Sequence, residues 1–413
     1  MPAEVLESVT GQMDIDIIRA FRSTSRYAAQ CSVWHFNRNY RNTVVTDHSL
    51  EDFEQREKRL RDEPRYVNYI ETLSIAAKYE PGATVSIPMG AAFEWERRLD
   101  DVLDLTQPAV RKWCDLLGRF TNFKHFHVLT DRDQSKSIAS DGLAPTQLSN
   151  WDAYLISMSF IRNSGLPVVS LSMFAHKFYR GCTTVGFAPE LANEAGVIDG
   201  FLPPAGTAGA AGWPHLESLT LREGLANDQT RFRNVISQAP NLKKISLDAT
   251  MIYHHFRELA QSVDTFKLEE LHVSRMFFIP RQVRDLHTAL PLLSASLRKL
   301  NFIGVRMTNW TGLLRLLRDG GFSALQEITI DGVVQCWRTK ELRWTYDPET
   351  PLVTAPPGAK LRYKLCKEQG VSYYDMVSYT GSEMENVPDQ LLDKVAIVPA
   401  HFYGVGSEGV YEF

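Results

Sequence analysis

The 413-residue chain has only five cysteines, Cys31, Cys114, Cys182, Cys336 and Cys366. They are widely scattered and odd in number, so neither a disulfide framework nor a zinc motif is indicated. No apolar run reaches the length of about 18 residues that a membrane span needs, and the first residues lack the apolar core of a signal peptide. Excess positive charge is missing too. A net charge of −4 and a pI near 6.3 argue against a nucleic-acid partner, which leaves a basic footprint. The run REKRLRDEPR mixes both signs and reads as a solvated helix face. These absences predict an intracellular chain, cytoplasmic or nuclear or both, with no membrane partner and no nucleic acid. In that compartment the sequon Asn309-Trp310-Thr311 has no role.

Catalytic signatures are also absent. GVGSEG (404–409) satisfies G-x-G-x-x-G, but only four residues follow it, too few for the helix that would present a pyrophosphate site. GTAGAAG (206–212) lies in a Pro/Gly/Ala stretch and reads as linker. No G-x-S-x-G, P-loop or Cys–His arrangement occurs. The chain is therefore expected to be non-catalytic, with no cofactor and no metal.

What the chain does have is a repeat. LESLTL at 216 returns as LKKISL at 242, LEELHV at 268, LRKLNF at 297 and LQEITI at 325. Each window is apolar at positions one, four and six, and the spacing is 26 to 29 residues. Helical faces fill the intervals: Phe232, Val235, Ile236 and Ala239; then Ile252, Phe256, Leu259, Ala260 and Val263; then Val283, Leu286 and Leu290; then Leu313, Leu314, Leu316 and Leu317. Wider-spaced windows precede them, IETLSI at 70, FKHFHV at 123 and VVSLSM at 168, with candidate helices PAVRKWCDLLGRF and NWDAYLISMSFIRN before the last two. In all eight windows the third and fifth residues are polar, as expected of a strand with one wet face.

Strand, loop, helix, strand in this order resembles an irregular leucine-rich repeat, with parallel strands on one face and helices on the other. The family usually places Asn or Cys three residues past the last apolar position. Here those places hold Gly224, Thr250, Met276, Val305 and Val333. An ordinary α/β domain with parallel strands carries the same alternation and stays open.

On the polar face, His125 and His127 share one side of a strand, as a metal site would need, but no Cys, Asp or Glu nearby in sequence completes a set. They read as solvated strand histidines. Tyr253-His254-His255-Phe256 lacks the H-E-x-x-H spacing and reads as helix surface. After 333 the repeat stops, and Trp337, Trp344 and Tyr346 sit among Arg and Pro. They suit either a cap for the end of an array or a recognition patch.

The first residues form three short amphipathic pieces. Pro2, Glu4, Val5 and Leu6 are followed by Val9, Met13 and Asp14, then by Ile17, Ile18 and Phe21, then by Arg22, Ser25, Arg26 and Trp34. Their order resembles an F-box, with Met1 where the family has Leu. The resemblance implies a three-helix F-box at 1–40, a linker helix at 41–65, a leucine-rich-repeat-like array at 66–333 and a C-terminal cap or tail at 334–413. It implies a substrate receptor of a Skp/cullin/F-box ubiquitin ligase. The Skp-type adaptor, and through it cullin, would dock on Pro2, Val5, Leu6, Val9, Ile17 and Ile18. A target protein would meet His125, His127, Lys244, Glu270, His272, Lys299, Trp337 and Trp344. The other expectation is a leucine-rich interaction scaffold without a ligase role, its opening helices acting as an end cap.

Overall fold

In the computed structural model the structure describes residues 9–10, 13, 15–32, 42–75, 90–97, 103–128, 148, 150–175, 213–223, 229–248, 255–307, 309–332, 334–335, 340–345, 352–354, 356–368, 371–399 and 410–412. The chain is a mixed α/β protein whose strands are mostly parallel, and it divides into two compact units, Met1–Phe201 and Leu202–Phe413. That division falls inside the stretch expected to be one array.

The first unit opens with helices α1 (Ile15–Thr24) and α2 (Arg26–Cys31). Ser25 separates them because its hydroxyl accepts the Ala28 N–H and starts the second helix. Then come β1 (Thr43–Thr46), α3 (Leu50–Asp62), β2 (Thr72–Ile75), α4 (Pro108–Leu117), β3 (His125–Val128), α5 (Asn150–Ser164) and β4 (Ser170–Ala175). The four strands are parallel neighbours in that order. The expected linker at 41–65 thus holds a strand as well as a helix. β1 escaped the window search because its apolar pattern is shifted: Val45 sits on the open face, 54% exposed, and Thr46 is buried in its place.

The second unit continues with β5 (Ser218–Glu223), α6 (Gln229–Ser237), β6 (Lys244–Asp248), α7 (His255–Gln261), β7 (Glu270–Ser274), α8 (Pro280–Leu292), β8 (Lys299–Ile303), β9 (Arg306–Met307), α9 (Trp310–Asp319) and β10 (Glu327–Asp331). β5, β6, β7, β8 and β10 are parallel neighbours. The chain ends with β11 (Val334–Gln335), β12 (Lys340–Thr345), β13 (Lys360–Glu368), β14 (Val371–Thr380), α10 (Val387–Asp393), β15 (Val395–Pro399) and β16 (Val410–Glu412). β14 runs antiparallel to β10, β12 and β13, so the parallel run finishes against an antiparallel group. Trp344 of β12 is fully buried there.

The windows stack in one register. Thr72 faces His125 and His125 faces Ser170; Ser218, Lys244, Glu270, Lys299 and Glu327 form the matching row of the second unit. A backbone device recurs within each unit. The carbonyl at window position two accepts the N–H groups of positions two and three in the next unit. Asn42 does so for Glu71 and Thr72, and Glu71 for Lys124 and His125. Glu217, Lys243, Glu269 and Arg298 repeat it in the second unit. Asn42 places β1 in this series.

Apolar positions one, four and six are buried wherever their side chains are described, from Ile70, Leu73 and Ile75 to Leu325, Ile328 and Ile330. Burying one such side chain contributes about 1.5–3 kcal/mol. Helix residues complete this core: Phe232, Val235, Ile236, Val283, Leu286, Leu290, Leu313, Leu314 and Leu317 are all buried. Past the strands, Met276 and Val305, at the place where leucine-rich repeats usually carry Asn or Cys, continue it together with Phe278 and Met307. Asparagine serves elsewhere. Asn122 and Asn241, each just before a window, donate to the carbonyls of Asn68 and Pro214 in the preceding repeat.

After β1, β7, β8 and β10 the corner uses a left-handed residue at window position eight: His48, Arg275, Gly304 and Gly332, with φ of 58°, 55°, 61° and 56°. Glycine adopts this conformation without the Cβ clash that His and Arg tolerate. His255 corrects a further expectation. It is buried to 1% on α7, with its ring 4.5 Å from that of Phe232, because the apolar face of that helix begins one residue earlier than its spacing suggested. Among the described residues no helix is long and apolar enough to cross a membrane.

Candidate polar face and N-terminal helices

Two places gather the residues expected to act. The first is the face of the second unit's sheet that carries window positions three and five, with position two at its edge just before each strand. At position three Lys244, Glu270, Lys299 and Glu327 stand on successive strands, so charge alternates across the sheet. Lys244 Nζ lies 2.9 Å from Glu270 Oε2, and Lys299 Nζ lies 3.6 Å from both Glu270 Oε1 and Glu327 Oε2. Burial pushes the Glu270 carboxyl up, but the hydrogen bonds and charges of Lys244 and Lys299 outweigh it and hold the group below its usual range.

Position two repeats the alternation. Glu217 and Lys243 are 3.2 Å apart, and Glu269 and Arg298 are 3.8 Å apart. Position five carries no acid and no Lys or Arg: Thr220, Ser246, His272, Asn301 and Thr329 lie in register. Thr329 reaches Ser378 of β14 at 2.9 Å. The face is therefore finely charged yet locally neutral. Exposed pairs of this kind contribute about 0–1 kcal/mol each, and they discourage a partner of one strong charge sign.

Lys244, Glu270, His272 and Lys299 lie together on adjacent strands of this face. Glu327 and the position-two row were not singled out from sequence, although reading the second column of the windows (Glu, Lys, Glu, Arg) gives it directly. His125 and His127 sit on the equivalent face of the first unit, half-buried. His125 Nδ1 is 3.1 Å from Ser170 Oγ. Burial lowers both imidazole pKa values; Glu71 opposes this at His125, and His125 adds to it at His127. Among the described residues no three His, Cys, Asp or Glu side chains are grouped to hold a metal. The face is less uniformly wet than its pattern suggested, since Thr72 and Ser74 are only 8% and 4% exposed. Thr72 lies between Thr43 and His125, and Ser74 between Val45 and His127. Hydroxyl side chains this short sit below their larger register partners. Trp344 leaves the set of surface candidates because it is buried, and Trp337 lies outside the described residues.

The second place is the N-terminal helix pair. Ile18, Ala28 and Cys31 are buried, whereas Val9 is 47% and Ile17 is 53% exposed. Ile18, expected at the docking surface, instead faces inward, because adjacent residues on a helix point about 100° apart. Tyr27, grouped with Ala28 and Cys31 by spacing, is 51% exposed. Arg22 on α1 donates to the Ala29 carbonyl at 2.9 Å and to Ser32 Oγ at 3.1 Å, fastening the end of α2. Pro2, Val5, Leu6 and Trp34 lie outside the described residues. No known family matches the chain, and no curated protein shows significant similarity to it.

Proposed function

We propose that this chain is a non-catalytic substrate receptor of a Skp/cullin/F-box ubiquitin ligase, its N-terminal helices acting as an F-box and its strand–helix repeats as an irregular leucine-rich array. The observation that carries the reading is the half-exposure of Val9 and Ile17 beside a buried Ile18. A helix pair this small does not cover its own apolar surface, and a second polypeptide would. Two further features support it. Arg22 and Ser25, both part of the F-box resemblance, make the hydrogen bonds that hold α1 to α2 and start α2. The alternating charges on the sheet face suit recognition of a particular protein more than bulk attraction. In this reading the chain contributes proximity and orientation, and partner subunits perform the transfer chemistry.

The test is co-purification of adaptor and cullin with the intact chain and with Ile17→Asp. The expected result is recovery with the first and loss with the second, with unchanged circular dichroism. Recovery of neither subunit with the intact chain, under conditions that retain known receptors, sinks the assignment. The second reading, a leucine-rich scaffold with no ligase role, is favoured by the full burial of Thr10 and Ile18, as an end cap would have. Under it, Ile17→Asp lowers the melting temperature of the chain and changes no adaptor binding.

A further inference from the structure

The corner between β1 and α3 puts polar groups in a dry place. Asp47, His48 and Ser49 are 2%, 0% and 4% exposed. Ser49 donates its N–H and its hydroxyl to Asp47 Oδ1 at 3.0 and 2.7 Å, and its own oxygen accepts the Asp52 N–H at 3.2 Å. The loop at 90–97 closes over the corner. Gly90 N–H donates to the Asp47 carbonyl at 2.7 Å, Leu50 N–H donates to Ala91 at 3.0 Å, and the Trp95 indole donates to the Gly90 carbonyl at 2.9 Å.

His48 is the centre of this arrangement. Its backbone is left-handed, and its N–H donates to Thr46 Oγ1 at 3.1 Å. Its ring stands edge-on to Trp113 of α4 at 4.8 Å, and Trp113 also meets Phe53 and Phe93. Neither ring nitrogen has a hydrogen-bond partner among the described residues. Burial pushes the imidazole pKa down to about 3, with Asp47 pulling it up and Arg56 pushing it further down. Arg56 is held by Asp52 and by the Val45 carbonyl. On α4 the Cys114 thiol, next to Trp113, is pushed up to about 11, mainly by burial, so it stays neutral across the acid range.

We infer that the β1–α3 corner is an acid-sensitive latch: it stays shut on Trp113 while His48 is neutral, and protonating that ring requires the corner to open and free β1 from β2. Neither imidazole nitrogen meets a hydrogen-bond acceptor among the described residues, and the attraction of the neighbouring Asp47 carboxylate does not offset the burial of the ring. Water supplies what the corner cannot. The opened form binds a proton with the ordinary imidazole affinity, and the closed form only in strong acid. Closure is therefore fully favoured above the unfolded pKa near 6.5 and weakens as pH falls below it. The opened fraction rises about tenfold per pH unit.

Amide hydrogen exchange on the full chain, corrected for its intrinsic pH dependence, tests this. Protection across 43–62 and 108–117 should fall about 15-fold between pH 6.5 and pH 5, while β7 and β8 hold theirs. His48→Asn tolerates the left-handed backbone and does not titrate, so its protection should be flat over that range. Equal protection of the intact chain at both pH values overturns the inference, and so does an unchanged slope in His48→Asn. Should that variant not fold, the imidazole resonances of the intact chain decide. They should remain those of a neutral ring down to pH 5, and a titration near 6.5 in the closed protein overturns the latch.

Discussion

β2 and β7 follow the same six-residue pattern and the same register, yet their outward faces differ. In β2 the outward residues are Thr72 and Ser74, small and buried; in β7 they are Glu270 and His272, half-buried and set in a row of paired charges. The inward faces are alike, with Leu73 and Ile75 matching Leu271 and Val273. The repeat therefore dictates what meets the helices. Side-chain length and the register partners dictate what lies on the other side. A hydroxyl beside His125 or His127 is shaded, and a long charged side chain beside its opposite reaches water.

The inward equivalence is the easiest part of this comparison to break. Leu73→Ala and Leu271→Ala should each cost about 2–5 kcal/mol in urea unfolding, because each leaves a cavity among fully buried neighbours. A cost under 1 kcal/mol at only one of them would mean that the two units do not share one packing rule. A buried ion pair can be set next against the exposed charged row. In the first unit Arg97 holds Asp152 at 2.7 Å, and Asp152 is 2% exposed. Arg97→Ala should cost about 3 kcal/mol, since a carboxylate stays behind in the interior. In the second unit Lys299→Glu, placed beside Glu270 and Glu327, should cost only about 1 kcal/mol, and 1 M salt should remove most of that.

Acid sharpens the contrast further. Because His48 is buried neutral, the first unit should lose about 2 kcal/mol of stability as pH falls from 7.5 to 5, seen as a falling denaturation midpoint. Glu270, held below its usual range, contributes a smaller stability to the second unit, present above the unfolded carboxylate pKa and lost as pH falls through its lowered folded value.

Most of the strand order was legible because apolar residues at positions one, four and six carry the packing energy, and no other face satisfies them. β4 follows from VVSLSM in this way, and α5 from NWDAYLISMSFIRN. β1 was not legible, since Val45 is apolar on the outside and Thr46 is polar on the inside. The antiparallel strands after β10 carry no window to recognise. Of the candidate sites, the charged row could be read by aligning columns, whereas the inward turn of Ile18 and Trp344 could not. Both lie in short or irregular segments where periodicity does not separate adjacent faces.

The left-handed corner at window position eight has a consequence for how this chain tolerates growth. Everything upstream of it is locked by alternation, so one inserted residue would swing Leu, Ile and Phe toward solvent. Everything downstream leaves in a fixed direction and has only to return at the next Leu. Added length is thus absorbed past the corner, where successive strands are already separated by very different amounts of chain. That is the place to splice in a loop, a tag or a second binding element without disturbing the sheet.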